Sequence, residues 1–113
     1  MGLRSYLGGI LGENRACAFL KKRGFELVER NFRSRMGEID IIAKRDAILH
    51  FVEVKFTQKA DHEPYERLDG KKTEKLLKTI EFYKLDRGFD GDFQLDLICI
   101  SGDEIQFFEN ISF

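Results

Sequence analysis

The chain of 113 residues is long enough for one domain with a hydrophobic core, spanning residues 1–113, and too short for two. Its 42% hydrophobic and 35% charged content is ordinary for a soluble globular protein, and the single Pro leaves no room for a low-complexity linker. No apolar run approaches the roughly 18 residues of a membrane span, which excludes a membrane protein, and the net charge of −1 does not by itself indicate a nucleic-acid binder.

The first half of the chain predicts one helix and three strands. The helix extends from about Leu7 to Arg23, and Gly24 is its expected C-terminal cap. The segment from Phe25 to about Arg33 is predicted as a strand. Two further strands within residues 37–56 form a hairpin that turns near Lys44–Ala47.

The second half predicts one helix and two strands. Residues 58–67 are expected to form a loop around Pro64. A second helix begins at Asp69 or Gly70 and ends near Leu85, with an apolar stripe of Leu76, Leu77, Ile80 and Tyr83. Residues 92–100 alternate like a strand, with Phe93, Leu95, Leu97 and Cys99 on one side, and residues 105–113 supply the last strand. The predicted order is α-β-β-β-α-β-β, an α/β fold.

The hairpin has one apolar and one charged face, because side chains alternate along a strand. The apolar face would consist of Ile39, Ile41, Ala43, Val52, Val54 and Phe56. The other face gathers three acids and one base, namely Glu38, Asp40, Glu53 and Lys55.

The register of the hairpin determines how close these acids are. A two-residue turn at Arg45–Asp46 would put Phe51 opposite Asp40. Glu53 would then lie opposite Glu38 and diagonal to Asp40, with the Cα atoms of Asp40 and Glu53 about 7–8 Å apart. Two carboxylates at that separation can share one cation, and without a cation they repel each other.

This group of side chains suits metal-dependent phosphodiester hydrolysis. Mg²⁺ or Mn²⁺ takes oxygen ligands, for which Asp40 and Glu53 are the candidates. Lys55 would stand beside the ion and either position the attacking water or stabilise the transition state. The open alternative is a solvated strand face with a Glu–Lys ion pair.

The first helix offers a further acid, Glu13. Together with Ala16, Cys17 and Leu20 it follows the spacing i, i+3, i+4, i+7, so it lies at the end of the face that packs on the sheet. Glu13 is therefore a candidate catalytic residue, as an accessory ligand or water contact. The alternative is a first-turn Glu that interacts with the helix dipole and reaches water.

Basic residues could hold a nucleic-acid backbone around this site. Arg33 and Arg35 flank the hairpin, and Lys71, Lys72 and Lys75 lie on the second helix. Residues 1–85 hold 18 Lys and Arg against 13 Asp and Glu, whereas residues 86–113 hold 1 against 7, so a basic face can coexist with an acidic C-terminal stretch. The alternative for each base is a solvated charge paired with a nearby Glu.

Two polar residues are left outside the catalytic group. His50 shows no ligand spacing and is interpreted as structural. Asp96, in the middle of a strand, is either a support for the site or a buried acid paired with Arg or Lys.

Three segments carry a family resemblance: "GENRACAFLKKRGF", "ERNFRSRMGEIDIIA" and "FVEVK", in this order. Together they closely resemble the YraN-like family of small bacterial proteins, which are similar to Holliday-junction resolvases. The resemblance is strong over residues 8–57 and implies a restriction-endonuclease-like α/β fold, with a central mixed β-sheet flanked by helices and a PD-(D/E)xK motif.

The motif of that superfamily maps its Asp onto Asp40 and its Glu-x-Lys onto Glu53 and Lys55, and the helical acid of the resolvase-like branch matches Glu13. Relatives commonly have Arg two residues after the Lys. Here Phe56 and Thr57 follow Lys55, so an arginine that would help to hold phosphate is missing.

The expected function is Mg²⁺- or Mn²⁺-dependent hydrolysis of DNA, branched DNA included. One alternative is a non-catalytic nucleic-acid-binding module with the same fold, and another is a protein-interaction domain whose acidic C-terminal stretch meets a basic partner. Cys17 and Cys99 lie in apolar surroundings without redox or metal spacing, which predicts buried thiols in a reducing, cytoplasmic compartment. DNA is the expected partner, no membrane is expected, and a homodimer is left open.

Overall fold

The computed structural model describes residues 3–56 and 70–111, with side chains described for 11–56 and 73–111. The predicted order α-β-β-β-α-β-β is confirmed. The elements are α1 (Leu3–Lys22), β1 (Glu26–Ser34), β2 (Gly37–Arg45), β3 (Ile48–Phe56), α2 (Gly70–Arg87), β4 (Phe93–Ser101) and β5 (Glu104–Phe108). The predicted loop over 58–67 lies outside the described residues.

The five strands form one mixed sheet in the order β1-β2-β3-β4-β5. β3 and β4 are parallel, and the other three neighbouring pairs are antiparallel. A parallel pair needs a long crossover, and α2 lies within it. None of the helices in the described part of the chain is long and apolar enough to cross a membrane.

α1 packs on one face of the sheet. Its buried side chains Ala16, Cys17 and Leu20 are those of the predicted stripe, and they lie in one cluster with residues of β2, β3 and β4. Gly24 ends the helix region with a φ of +87°, a conformation that favours glycine. Cys17 and Cys99 are both buried, as predicted.

α2 packs on the opposite face of the sheet. Leu76, Ile80 and Tyr83 are buried there as predicted, in one cluster with Phe32 and Phe51. Leu77 was assigned to the same stripe, but it points outward and is 39% exposed. The reason is that the buried stripe continues through Thr73 and Thr79, small polar residues that the apolar pattern does not mark.

The apolar and charged faces of the hairpin are less separate than predicted. Ile39 belongs to the cluster under α2 rather than to the cluster under α1. Phe56, at the end of β3, is half-exposed. β4 is buried on both faces, because it is a central strand with helices on both sides, so its apolar residues are not confined to one side.

The predicted register of the hairpin is wrong by two residues. Arg45 pairs with Ile48, so the turn consists of Asp46 and Ala47, whose φ angles are +54° and +66°. Two positive φ angles in succession are typical of a tight hairpin turn, which normally uses Asn and Gly. Phe51 therefore lies opposite Ile42 instead of Asp40. A shift of two keeps the side chains of the paired residues, 41–45 and 48–52, on their predicted faces.

Two element ends also differ from the prediction. α1 begins at Leu3 rather than near Leu7. β5 ends at Phe108, because the backbone N–H of Asn110 donates to Asp96 and that of Ile111 donates to the carbonyl of Leu95, which takes the chain away from the ladder.

Candidate metal and nucleic-acid site

A cavity of about 550 Å³ opens beside the β1–β2 turn, between the β2–β3 hairpin and α2. Six of the residues predicted for the site line it: Asp40, Glu53, Lys55, Arg33, Arg35 and Lys75. The lining residues of α2 belong to its middle turns, which lie very close to Gly37. A Cβ at Gly37, whose φ is +146°, would lie 2.8 Å from Thr79 Oγ1.

Asp40 and Glu53 lie at the point where β2 and β3 stop pairing. The last paired residues are Ile41 and Val52, so Asp40 and Glu53 are the next residues on the two strands and occupy facing positions. The backbone N–H of Val54 donates to Asp40 Oδ2 at 2.8 Å. In the register of the hairpin this N–H would have pointed toward Ile39. The carboxylate of Asp40 thus replaces a ladder hydrogen bond, and the two acids occupy facing positions instead of the predicted diagonal ones.

Burial makes the charge of Asp40 unfavourable. The pKa of Asp40 is raised from its ordinary value, mainly because the carboxyl is desolvated, and the negative charges of Glu13 and Glu38 add to the rise. The Val54 hydrogen bond and the Lys55 ammonium oppose it. Glu53 is itself buried, at 7% exposure. A cation bound here would offset both the desolvation of the carboxylates and the repulsion between the acidic groups.

The donors fit the ion that the sequence predicts. Carboxylate oxygens are the ligands that Mg²⁺ and Mn²⁺ prefer. Two of them face each other across the hairpin, in a cavity open enough to admit a substrate phosphate. Lys55 cannot be a ligand while it is protonated, so it contributes charge rather than coordination.

Glu13 is placed differently from the other predicted residues. It lies on α1, close enough to influence Asp40 electrostatically, but it does not line the cavity, and its Oε1 is 3.6 Å from a guanidinium nitrogen of Arg30. α1 reaches the end of β3 at Gly12, where a Cβ would overlap the ring of Phe56. The role of Glu13 as an accessory ligand stays a prediction.

The basic residues form a rim around the acidic floor of the cavity. Arg33 and Arg35 come from the end of β1 and the following turn, and Lys75 comes from α2. All three are exposed, and Arg33 Nε lies 3.9 Å from Glu38. The side chains of Lys71 and Lys72 lie outside the described residues, so their part in this rim stays a prediction.

A second polar cluster, missed by sequence reasoning, lies at the other end of the hairpin. His50 Nδ1 is 2.6 Å from Asp96 Oδ2, and both side chains are buried. Asp96 Oδ1 accepts hydrogen bonds from Gln94 Nε2 and from the backbone of Asn110, both at 2.9 Å. Asp96 therefore pairs with a histidine rather than with Arg or Lys. Its position in the middle of an apolar strand was the only sequence signal.

This second cluster is an anchor for the end of the chain. Glu109 brings a carboxylate oxygen within 4.8 Å of the His50 and Asp96 ligand atoms, but its Oε1 accepts a hydrogen bond from Arg45 at 2.8 Å. Since protein donors occupy both oxygens of Asp96, the group holds residues 109–111 against the sheet.

Comparison with known proteins gives a family but no activity. The model of "Uncharacterised protein family UPF0102" matches residues 12–100. A UPF0102 protein of Campylobacter jejuni subsp. jejuni serotype O:23/36 is 68% identical over 113 residues, and UPF0102 proteins of Campylobacter lari and Campylobacter fetus subsp. fetus are 55% and 51% identical. Each of these alignments covers 100% of both chains.

Proposed function

We propose a nuclease function for this chain, which belongs to the uncharacterised protein family UPF0102. The proposed reaction is Mg²⁺- or Mn²⁺-dependent hydrolysis of DNA phosphodiester bonds, with branched DNA among the substrates. One observation carries the proposal: Asp40, Glu53 and Lys55 line one open cavity whose rim carries arginine and lysine side chains.

Asp40 and Glu53 are the residues that would hold the ion. A bound Mg²⁺ or Mn²⁺ lowers the pKa of a bound water and neutralises charge on phosphoryl oxygens. The Val54 N–H fixes one oxygen of Asp40, so this carboxylate is oriented before any ligand arrives. Preorganisation of this kind is what a ligand to a catalytic ion requires.

Lys55 supplies a positive charge on the same strand, two residues from Glu53. Its ammonium would stabilise charge that develops on the phosphate in the transition state, or orient the attacking water. Arg33, Arg35 and Lys75 would contact phosphates on either side of the cleaved bond. Such contacts give affinity for any sequence, so we expect the enzyme to recognise DNA form rather than base order.

The resemblance to Holliday-junction resolvases supports the same chemistry. The PD-(D/E)xK positions fall on the three cavity residues, Asp40, Glu53 and Lys55. The arginine that commonly follows in relatives is replaced here, and Arg33 and Arg35 are the arginines among the cavity residues that could hold phosphate in its place.

The test is cleavage of supercoiled plasmid and of synthetic branched DNA in Mn²⁺. We expect nicking that EDTA abolishes and that Lys55→Ala reduces by at least about 100-fold, the scale of losing one transition-state charge contact. Lys44→Ala is the matched control, because Lys44 is an exposed lysine of the same hairpin outside the cavity. Manganese affinity, measured by calorimetry, should be unchanged within a few-fold in both variants.

Two outcomes would contradict the proposed nuclease function. If no form of DNA is cut over a broad range of metals and pH while DNA still binds, the chain is a binding module with a nuclease-like fold. If DNA does not bind either, the protein-interaction alternative replaces both.

A further inference from the structure

The outward face of α2 carries apolar side chains that nothing in the described part of the chain covers. Met36 from the β1–β2 turn joins Leu77, Phe82 and Leu85 of the helix, with exposures of 44%, 39%, 40% and 82%. With Glu74, Lys78 and Glu81 these residues line a groove of about 580 Å³. We call these seven residues the α2 patch.

We propose that the α2 patch is the interface of a homodimer in which the α2 helices of two copies pack antiparallel. The four apolar side chains line one groove, and a contiguous exposed group of this kind indicates an interaction surface, whereas isolated exposed apolar residues are common in soluble proteins. Because the patch carries charges of both signs, it can be complementary to itself, and this is why we infer a second copy as the partner.

The order of charges along the helix selects the antiparallel arrangement. Glu74, Lys78 and Glu81 alternate in sign over the patch. If the two helices were parallel about a two-fold axis, each of these residues would stand level with its own equivalent, so like charges would meet. If they are antiparallel about an axis at the middle of the patch, near residues 79 and 80, Lys78 of each copy is level with Glu81 of the other. Two reciprocal ion pairs result.

The same arrangement also brings two apolar residues of the helix to the same level. Leu77 of one copy is level with Phe82 of the other. Met36 precedes Gly37, which packs beside Lys75 and Thr79, so Met36 lies near that turn of α2 and therefore level with the Phe82 region of the partner. Leu85, the most exposed of the set, would be level with Glu74 of the partner, so it is the apolar residue of the helix that has no apolar counterpart at its own level. Its burial removes the largest apolar surface that the described residues expose.

The intramolecular ion pairs do not compete with this arrangement. Lys78 Nζ is 3.7 Å from Glu74, and both side chains are exposed; Lys84 Nζ is 3.7 Å from Glu81, which is exposed although Lys84 is partly buried. Exposed pairs of this kind contribute little, so the same groups remain available across an interface. The cavity is lined by other residues of α2, namely Lys75, Leu76 and Thr79, and none of them belongs to the α2 patch.

The size of the patch sets the expected affinity. Its seven residues are fewer than the roughly 20–30 per side of a standard interface, so we expect a dimer that dissociates at micromolar concentrations. Sedimentation equilibrium of the full chain should show a monomer–dimer equilibrium over about 1 μM to about 1 mM, a range that spans the expected Kd. Leu85→Glu should raise the Kd at least about tenfold. Leu11→Glu, at an exposed leucine of α1 outside the patch, should not change it.

The charge pattern allows a second test that does not depend on any loss of folding. Lys78→Glu and Glu81→Lys should each be monomeric, because each places like charges level with one another in the antiparallel dimer. An equimolar mixture of the two variants should form heterodimers, since every reversed charge then faces an opposite one. A monomer at all concentrations, a dimer insensitive to Leu85→Glu, or a mixture that stays monomeric while the wild type dimerises would each overturn the proposal.

Discussion

Asp40 carries its charge at a position where the fold makes charge costly. Its carboxylate is desolvated, it faces Glu53 across the hairpin, and Glu13 and Glu38 add negative charge. One hydrogen bond from Val54 and the Lys55 ammonium compensate only in part, since the net effect on its pKa is a rise. Holding like charges together without a cation lowers stability. The arrangement therefore indicates selection for a function rather than for stability.

Asp40→Asn should stabilise the metal-free protein by roughly 0.5–2 kcal/mol, because it removes a partly buried charge at nearly constant shape. The Asn carbonyl oxygen can still accept the Val54 N–H, so the hydrogen bond need not be lost. Thermal melts in EDTA measure the difference, and Asp90→Asn, at an exposed acid, is the control with no expected effect. In millimolar Mn²⁺ the wild type gains binding energy that the variant lacks, so the difference should shrink or reverse.

The same difference should depend on pH in one direction. A carboxyl whose folded pKa is raised binds its proton more tightly in the folded state, so the wild type loses stability as pH rises from about 3.8 through the raised value. Asp40→Asn lacks this loss. The advantage of Asp40→Asn in EDTA should therefore be small at about pH 3.5, where the wild-type carboxyl is protonated in both states, and should reach a plateau near neutrality. An advantage that falls with rising pH would contradict the burial of a charged Asp40.

At the scale of single elements, the residues of the hairpin turn explain why the predicted register is wrong. Asp46 and Ala47 both adopt positive φ, yet neither is glycine, and an alanine in the left-handed region is strained. The sequence pattern therefore gave no reason to place the turn there rather than one residue earlier. The register itself follows from packing on both faces of the sheet, which a local pattern does not contain.

Ala47→Gly should stabilise the hairpin by about 0.5–1 kcal/mol, because glycine adopts a φ of +66° without strain, and this gain exceeds its extra flexibility in the unfolded chain. Urea denaturation of the purified protein measures the change. Ala18→Gly is the opposite control, since Ala18 is an exposed residue of α1 and glycine there should cost about 1 kcal/mol. Destabilisation by Ala47→Gly would show that the turn does not hold this conformation in solution.

At the scale of the whole molecule, sequence periodicity predicted what depends on neighbours along the chain. The order of elements, the buried stripe of α1 and the shared face of Asp40, Glu53 and Lys55 all follow from periods of 3.6 and 2. The pairing of His50 with Asp96 joins residues 46 positions apart, and the exposure of Leu77 depends on how α2 is rotated on the sheet. Neither has a local signal, so both required the structure.

The distribution of charge is also a property of the whole molecule. The net charge of −1 conceals a separation, because most acids beyond residue 85 lie on β4, β5 and their connections, whereas Arg33, Arg35 and Lys75 surround the cavity. A polyanion responds to the local field of the rim rather than to the net charge, since charges farther than a Debye length of about 8 Å are screened at physiological salt.

Replacing Arg33, Arg35 and Lys75 together by Gln should therefore weaken binding to DNA about equally for all sequences. The slope of log K against log[salt] should become shallower by about 2–3, because each lost phosphate contact removes nearly one released counterion. The matched control is the replacement of Lys21, Lys22 and Lys44 by Gln, which makes the same change in net charge at exposed positions away from the cavity. Fluorescence anisotropy over a range of salt concentrations separates the two variants. Equal losses in both would show that DNA responds to the charge of the molecule as a whole, and the cavity rim would then have no special part in binding.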